Sequence, residues 1–148
     1  ELHLLILARS APEWLKDKAI AAGVRDRVHF LQGRGIQFEA DCLAAATIGV
    51  IPRRHCIGFP IKLLNYLSVG LPVVCFNGVN KGFNDNRELL AVENGTAQAM
   101  AAGVIRLLSD NSLARKIADN GRERLKKRHL WPVSVEKILE VYSGLISE

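Results

Sequence analysis

Apolar runs of strand length alternate with helical patterns along this chain, and this alternation constrains its fold more than any other feature. A continuous apolar run bounded by turn residues is typical of a buried strand, whereas apolar residues three or four positions apart are typical of a helix. Strands separated by helices of roughly ten residues or more connect through crossovers and pair in parallel. The sequence therefore predicts an α/β fold, a Rossmann-like doubly wound parallel sheet in a single domain.

The bounds of these elements follow from the residues that begin and end helices. Ser10 is a candidate cap and Gly23 a stop for the first helix, Asn94 and Gly95 form a turn, and Thr96 caps the fourth helix. The predicted strands are residues 2–8, 27–31, 48–51, the run that opens at 72, and 89–92. The predicted helices are residues 12–22, 38–46, 60–69, 97–108, 112–127 and 132–147.

Length and composition indicate a globular protein of a reducing compartment. At 148 residues the chain has the length of one domain. Its three cysteines, Cys42, Cys56 and Cys75, have neither metal-ligand nor disulfide spacing, so we expect a cytoplasmic location and no metal. No apolar run is long enough to span a membrane, and the first residues lack the basic region of a signal peptide. Because the chain begins almost inside a strand, we expect it to be a piece of a longer protein.

A basic stretch at residues 122–129 contributes much of the formal net charge of +5. Its predicted helix carries apolar residues at helical spacing, so a solvated face is the favoured interpretation of these charges. Contact with an anionic membrane surface, as a peripheral protein, is the remaining alternative. Nucleic acid is not an expected partner, because no aromatic residues interleave with the charges to stack on bases.

The segment from Cys56 to Val74 carries the strongest functional signal. It combines a glycine-containing loop, a helix, a glycine stop at Gly70 and a buried strand. The first amides of a helix point at any anion placed there, and Lys62 adds a cation one turn into the predicted helix. The segment therefore predicts a phosphate site. A helix that only packs under a sheet is the alternative that spacing leaves open.

Basic residues follow several predicted strands at their carboxyl ends, the edge where ligands bind in such sheets. Each one alone is typical of a solvated surface loop. Together they form a candidate rim around a diphosphate, consisting of Arg9, Arg34, Arg53, Arg54, Lys62 and Lys81.

The order of these segments closely resembles the C-terminal domain of GT-B glycosyltransferases of family 4, the glycosyl transferases group 1. The Gly-Phe loop with its Leu-Leu-x-Tyr-Leu helix, at residues 58–67, is followed by Gly-Leu-Pro-Val-Val at residues 70–74. Earlier segments that resemble the family lie at residues 4–12, 23–31 and 44–52. The resemblance covers nearly the whole chain in the right order.

The resemblance implies that residues 1–148 are the donor-binding half of a retaining, hexosyltransferase-type enzyme. Such an enzyme transfers a sugar from a UDP- or GDP-sugar, without a cofactor, to an acceptor held by an N-terminal domain that this chain lacks. By resemblance, the diphosphate or sugar is contacted by Gly58, Phe59, Ile61 and Lys62. The base lies near Leu31, Gln32 and Gly33, and Arg9, Arg53 and Arg54 are candidates for the phosphate rim.

The chain departs from the family pattern at two positions. The family carries two glutamates eight positions apart, where this chain has Ile57 and Asn65. Asn65 is still able to hydrogen-bond a ribose, whereas Ile57 is unable to replace an acid that contacts the donor sugar. The family's arginine and lysine pair belongs to a segment before the first residue. We therefore assign no catalytic residue.

Two other classes of protein remain open at this point. A non-catalytic nucleotide-binding or interaction module of the same fold is favoured by Ile57. A sugar-nucleotide epimerase of GT-B architecture needs an acid and a base, and His55 is the only nearby candidate. Glu39 and Asp41 are more typical of the acids that begin a helix.

Overall fold

The computed structural model describes residues 1–93 and 95–146, and within them the chain divides into two compact units. The first unit, Glu1–Ala46, contains β1 (Leu4–Leu7), α1 (Glu13–Ala21), a 3-10 turn (Arg25–Arg27), β2 (Val28–Leu31) and α2 (Ile36–Ala44). The second unit begins at Thr47 and contains β3 (Gly49–Ile51), α3 (Ile61–Ser68), β4 (Val73–Phe76), β5 (Leu90–Val92), α4 (Ala97–Ser109), α5 (Asn111–Arg128) and α6 (Trp131–Ile146).

The first unit contains a two-stranded parallel sheet. β1 pairs with β2 in a register that places Leu4 opposite Val28 and Leu7 opposite Leu31. Ala8 extends the ladder by donating its amide to the carbonyl of Leu31 at 3.0 Å. Both strands therefore end at the same edge of this sheet.

The second unit contains a three-stranded parallel sheet in the order β3-β4-β5. All four residues of the central strand β4 are buried, and they alternate between two apolar clusters. Val73 and Cys75 pack with Leu63 and Leu67 of α3. The opposite face of β4 packs in a cluster that includes Met100 and Leu107 of α4 and Ile117 of α5. This sheet is thus covered on both faces, which is the doubly wound arrangement.

Two glycines allow helices to approach the second sheet closely. A Cβ on Gly103 of α4 would lie 2.7 Å from a methyl group of Val92, and one on Gly121 of α5 would lie 2.6 Å from the carbonyl oxygen of Glu88. Any larger residue at these positions would force backbone or core side chains apart. The positions of α4 and α5 against the sheet therefore depend on these glycines as well as on the apolar faces of the two helices.

The α/β class and the parallel pairing are confirmed, but the described strands pair in two sheets, where the pattern predicted one. The predicted ends of the elements are one or two residues off at most positions. Gly23 and Gly70 do end their helices, with φ of 66° and 76°, and Thr96 caps α4 through a bond from the Ala99 amide. Asn94 and Ser147, which belonged to a predicted turn and helix, lie outside the described residues.

Two helix starts were predicted wrongly. Pro12, and not Ser10, is the N-cap residue of α1, and no side chain caps that helix. Pro60 was predicted inside the third helix but is the N-cap residue of α3, with an extended ψ of 91°. The ring of proline fixes φ and fits either position, so sequence alone does not separate them. Within residues 1–93 and 95–146, no helix combines the length and the apolar character needed to cross a membrane.

Candidate functional site

The loop of residues 52–60 joins the carboxyl end of β3 to the start of α3, and the packing of α3 fixes its far end. Leu63 and Leu67 lie one turn apart on α3 and are completely buried in the core under β4. Pro60, immediately before the helix, is buried as well. The N-terminus of α3 is therefore held in place by its apolar face.

The amides at this helix start are available to an anion. No side chain caps α3, and its first turn contains no acidic residue. The Leu63 amide is used within the turn, donating to the Pro60 carbonyl at 2.8 Å. Ile61 and Lys62 precede it and are exposed, and amides at these two positions have no carbonyl partner inside a helix. Two N–H groups and the Lys62 ammonium therefore favour negative charge here.

Gly58 leaves open space at the centre of the 52–60 loop. A Cβ at this position would meet no atom within 4 Å, and Gly58 is not among the residues in the left-handed region. The thiol of Cys56 donates a hydrogen bond to the Gly58 carbonyl at 3.1 Å, which closes this part of the loop. Neither packing nor backbone conformation therefore requires a glycine, and the space beside it is accessible to a ligand.

Phe59 is anchored by two other rings. Its centroid lies 6.3 Å from that of Phe83 and 5.2 Å from that of His129. Phe83 and His129 in turn stack on each other, 5.3 Å apart with an interplanar angle of 18°. We call Phe59, Phe83 and His129 the ring cluster. It connects the 52–60 loop to the end of α5.

The surroundings of His129 favour its uncharged form. Partial burial of the imidazole, followed by the nearby positive charges of Arg124, Lys137 and Arg128, lowers the pKa of His129 below its ordinary value. Arg124 also covers the ring of Phe83, with its guanidinium carbon 5.8 Å from the ring centroid. No sequence pattern predicted this cluster, because its members are 24 and 46 residues apart along the chain.

The remaining predicted residues of the second unit lie around the same loop. Ile57 is fully exposed, and its apolar side chain stands where the resemblance predicts an acid. Asn65 is exposed on α3, one turn beyond its start. Arg53 is exposed, whereas Arg54 donates to the Gly95 carbonyl at 2.8 Å and so braces the loop against the segment before α4.

The predicted residues of the first unit meet at the edge of its own sheet. Arg9 follows β1 and is exposed, Leu31 ends β2 and is half-buried, and Gln32 and Gly33 are exposed directly after it. The structure thus brings the candidate base segment and one candidate phosphate ligand to one sheet edge. Arg34 from the predicted rim lies over the ring of Phe38, 5.8 Å from its centroid.

The other residues singled out from the sequence have ordinary structural surroundings. Lys126 and Lys127 of the basic stretch pair with Glu123 on the surface of α5, as the solvated-face interpretation predicts. Asp41 accepts a hydrogen bond from Gln37 within α2. Among residues 1–93 and 95–146, no group of three His, Cys, Asp or Glu side chains is placed to hold a metal ion. The membrane-surface alternative stays a prediction.

Parallel sheets whose strands alternate with helices, with an uncapped, acid-free helix start after the first strand of the second sheet, are typical of the Rossmann-like α/β fold to which GT-B domains belong. The family model of glycosyl transferases group 1 matches residues 1–110, so the chain belongs to this family. The D-inositol 3-phosphate glycosyltransferase of Thermomonospora curvata is 28% identical over 138 residues, which are 92% of this chain but only 32% of that enzyme. The chain therefore spans about a third of the length of this relative.

Two solved structures show the same fold. Anabaena HepE in complex with UDP matches 97% of this chain and 41% of its own, with a TM-score of 0.87 and 17% identity. The C-terminal domain of a glycosyl transferase group 1 family protein from Francisella tularensis matches 80% of this chain and 62% of its own, with a TM-score of 0.71 and 22% identity. The predicted family and the predicted fold class are confirmed.

Proposed function

We propose that this chain is the donor-binding half of a retaining glycosyltransferase that uses a UDP- or GDP-sugar without a resident metal or cofactor. The observation that carries the proposal is the uncapped, acid-free start of α3, with Lys62 in its first turn and the open space at Gly58 before it. Membership of the family and the UDP bound by the similar Anabaena protein support it. The acceptor would bind to an N-terminal domain outside this chain.

The chemistry of sugar transfer suits this arrangement. The bond between the sugar and the nucleoside diphosphate breaks, so negative charge grows on the leaving diphosphate in the transition state. The amides of Ile61 and Lys62 lie at the uncapped start of α3, and the Lys62 side chain belongs to the same turn. With the diphosphate bound there, these preorganised donors would stabilise the developing charge without reorganising. Phe59 and Gly58 would contact the diphosphate or the sugar, and Asn65 would hydrogen-bond the ribose.

A non-catalytic nucleotide-binding module of the same fold is the second candidate, and Ile57 is the observation that favours it. This side chain is fully exposed at the position where the family resemblance predicts an acid that contacts the donor sugar. Binding of the diphosphate does not depend on that acid. The two candidates therefore agree on the nucleotide site and differ only in whether a sugar is transferred.

Calorimetric titration with UDP, GDP, UDP-glucose and GDP-mannose tests the shared part of the proposal. We expect micromolar binding of one nucleotide series and a loss of roughly tenfold or more in the Lys62→Ala variant, since a charge-assisted contact to phosphate contributes about 1.5–3 kcal/mol. Lys126→Ala, which removes an exposed lysine of α5 paired with Glu123, is the matched control and should bind like the wild type. Absence of binding by all four ligands would contradict the site assignment.

The two candidates separate once an acceptor domain is present. Joined to the N-terminal domain of a family member, the chain should transfer or hydrolyse the donor sugar if the first candidate holds. A joined protein that binds the nucleotide with unchanged affinity, yet releases no nucleoside diphosphate over hours, would favour the non-catalytic module.

A further inference from the structure

The ring cluster links the proposed donor site to a residue from the far end of α5. Phe83 is 2% exposed and is therefore a fixed partner, whereas Phe59 is 37% exposed at the end of the 52–60 loop. His129 lies within ring-contact distance of both. Since Phe59 directly follows Gly58 and precedes the N-cap residue of α3, its position determines where the neighbouring amides point.

A partly buried ion pair lies beside Phe83. Arg124 approaches the Glu88 carboxylate to 3.8 Å and donates to the Gly82 carbonyl at 3.1 Å. Glu88 is 6% exposed and also accepts a hydrogen bond from the Asn84 amide at 2.9 Å. The Phe83 ring thus contacts both the Arg124 guanidinium and His129, and its burial makes it a fixed partner for Phe59.

His129 itself is held by the backbone of α5. It is the C-cap residue, and its amide donates to the Leu125 carbonyl at 2.8 Å. Within the part of the chain that the structure describes, its imidazole nitrogens form no hydrogen bond, so its contribution is that of a ring. The charges that face it are Arg124 and Arg128 of α5 and Lys137 of α6, and the two loops that meet it contribute the uncharged rings of Phe59 and Phe83.

We infer that His129 is a positioning residue for donor binding: its neutral ring packs on Phe59 and Phe83 and thereby holds Gly58 and the first amides of α3 in the geometry that receives the diphosphate. This inference rests on the proposed function. It adds a residue some seventy positions away in sequence, which makes no direct contact with the donor.

Protonation should release the ring. Burial is the main cause of the lowered pKa of His129, and the contact with Phe59 contributes to that burial. The pKa should therefore rise when the loop moves away, although the charges of α5 and α6 remain beside the imidazole. The packed arrangement is therefore fully favoured where the imidazole is uncharged in both states, and it weakens as the pH falls through the lower pKa of the packed state. Donor affinity should fall over the same interval.

The pH profile of donor affinity distinguishes positioning from a merely structural role. UDP-glucose and GDP-mannose are suitable probes because their diphosphates carry no group that titrates between pH 5 and 8. We expect wild-type affinity to weaken severalfold from pH 7.5 to 5.5. His129→Phe, which keeps a ring but has no titrating group, should bind like the wild type at pH 7.5 and lose this dependence.

His129→Ala should bind about three- to tenfold more weakly at pH 7.5, since it removes two ring contacts. Lys126→Ala is the control on the same helix and should match the wild type at every pH. Wild-type affinity in His129→Ala, or an unchanged pH profile in His129→Phe, would overturn the inference.

Hydrogen exchange tests the same inference without a ligand. The Leu63 amide, which donates to the Pro60 carbonyl at the start of α3, should exchange faster in His129→Ala than in the wild type, and at the wild-type rate in His129→Phe and Lys126→Ala. Unchanged exchange of the Leu63 amide in His129→Ala would overturn positioning even if the donor binds.

Donor titration and hydrogen exchange distinguish failure of the proposed function from failure of the inference about His129. If no variant binds either nucleotide sugar, the proposed function fails, while the exchange rates still decide whether His129 holds the loop. Protection of the β4 amides shows whether a variant is folded. If His129→Ala unfolds, the comparison of wild type with His129→Phe across pH decides.

Discussion

Gly58 has neither a backbone nor a packing reason to be a glycine. Its φ lies outside the left-handed region, and an added Cβ would meet open space. Glycine then serves to let another molecule approach the backbone closely. Folding does not explain Ile57 either, because a fully exposed isoleucine beside this glycine contributes nothing to the core. The residues of this loop are thus explained better by a ligand than by folding.

The three cysteines differ in the expected reactivity of their thiols. Burial, and secondly the charge of Asp85, raises the pKa of Cys75 to about 12. At pH 8 only about one thiol in ten thousand would be the reactive thiolate, and the side chain is completely covered. We expect iodoacetamide to modify the half-buried Cys42 and Cys56 in the folded protein and to leave Cys75 unmodified.

Peptide mapping by mass spectrometry reads out this prediction, with the protein unfolded in guanidinium chloride as the control in which all three cysteines react. Rapid modification of Cys75 under native conditions would show that the β4 core opens readily. Because the thiolate fraction grows about tenfold per pH unit below the pKa, the reaction of Cys75 should still accelerate with pH where that of an ordinary thiol has levelled off, up to the pKa of about 12.

Among the elements, α3 shows how one helix serves both folding and function. Its buried face, with Leu63 and Leu67, fixes the helix under β4, while its exposed start presents amides and Lys62. The two roles lie on different surfaces. Variants at the exposed start should therefore change ligand binding without changing the free energy of unfolding by more than about 0.5 kcal/mol.

Helix α5 depends on close contact at Gly121. A Cβ there would lie 2.6 Å from both the Glu88 carbonyl oxygen and a Leu67 methyl group. Gly121→Ala should therefore lower the free energy of unfolding by about 1–3 kcal/mol, because overpacking outweighs the gain in helix propensity. Thermal or urea unfolding followed by circular dichroism measures the change.

Gly144→Ala is the matched control, since Gly144 also lies in a helix and an added Cβ would meet no atom within 4 Å. It should leave stability unchanged or raise it by up to about 1 kcal/mol. Equal effects of the two substitutions would contradict the packing of α5 described above.

Periodicity and turn residues were sufficient to predict the helices and strands as elements, because each of these signals is local. The exceptions depend on distant neighbours. The pairing of strands in two sheets has no signature within any one strand, and Pro12 and Pro60 fit the cap position as well as the first turn.

For the candidate site, too, local features were predicted from the sequence and contacts between distant segments were not. The 52–60 loop and Lys62 were predicted because the residues that indicate a phosphate site at a helix start are consecutive in the sequence. The ring cluster was missed because Phe59, Phe83 and His129 belong to different segments, and an aromatic residue in a loop carries no sign of its partner. In the sequence analysis, only the order of the family motifs related distant segments of the chain to one another.

At the scale of the whole molecule, the candidate residues fall in both compact units. Arg9, Leu31, Gln32 and Gly33 lie at the sheet edge of the first unit, and the helix start with Lys62 belongs to the second. The chain spans about a third of its relative's length.

The most direct test of the account is to map the ligand on the backbone of the chain by two-dimensional NMR during titration with UDP-glucose and GDP-mannose. The account predicts large, saturable shifts of the amides of Gly58, Phe59, Ile61 and Lys62 with one of the two. It also predicts smaller shifts at Gln32 and Gly33, and little change in α6. Saturable shifts that leave the start of α3 unaffected, or no shifts with either ligand at millimolar concentration, would contradict it.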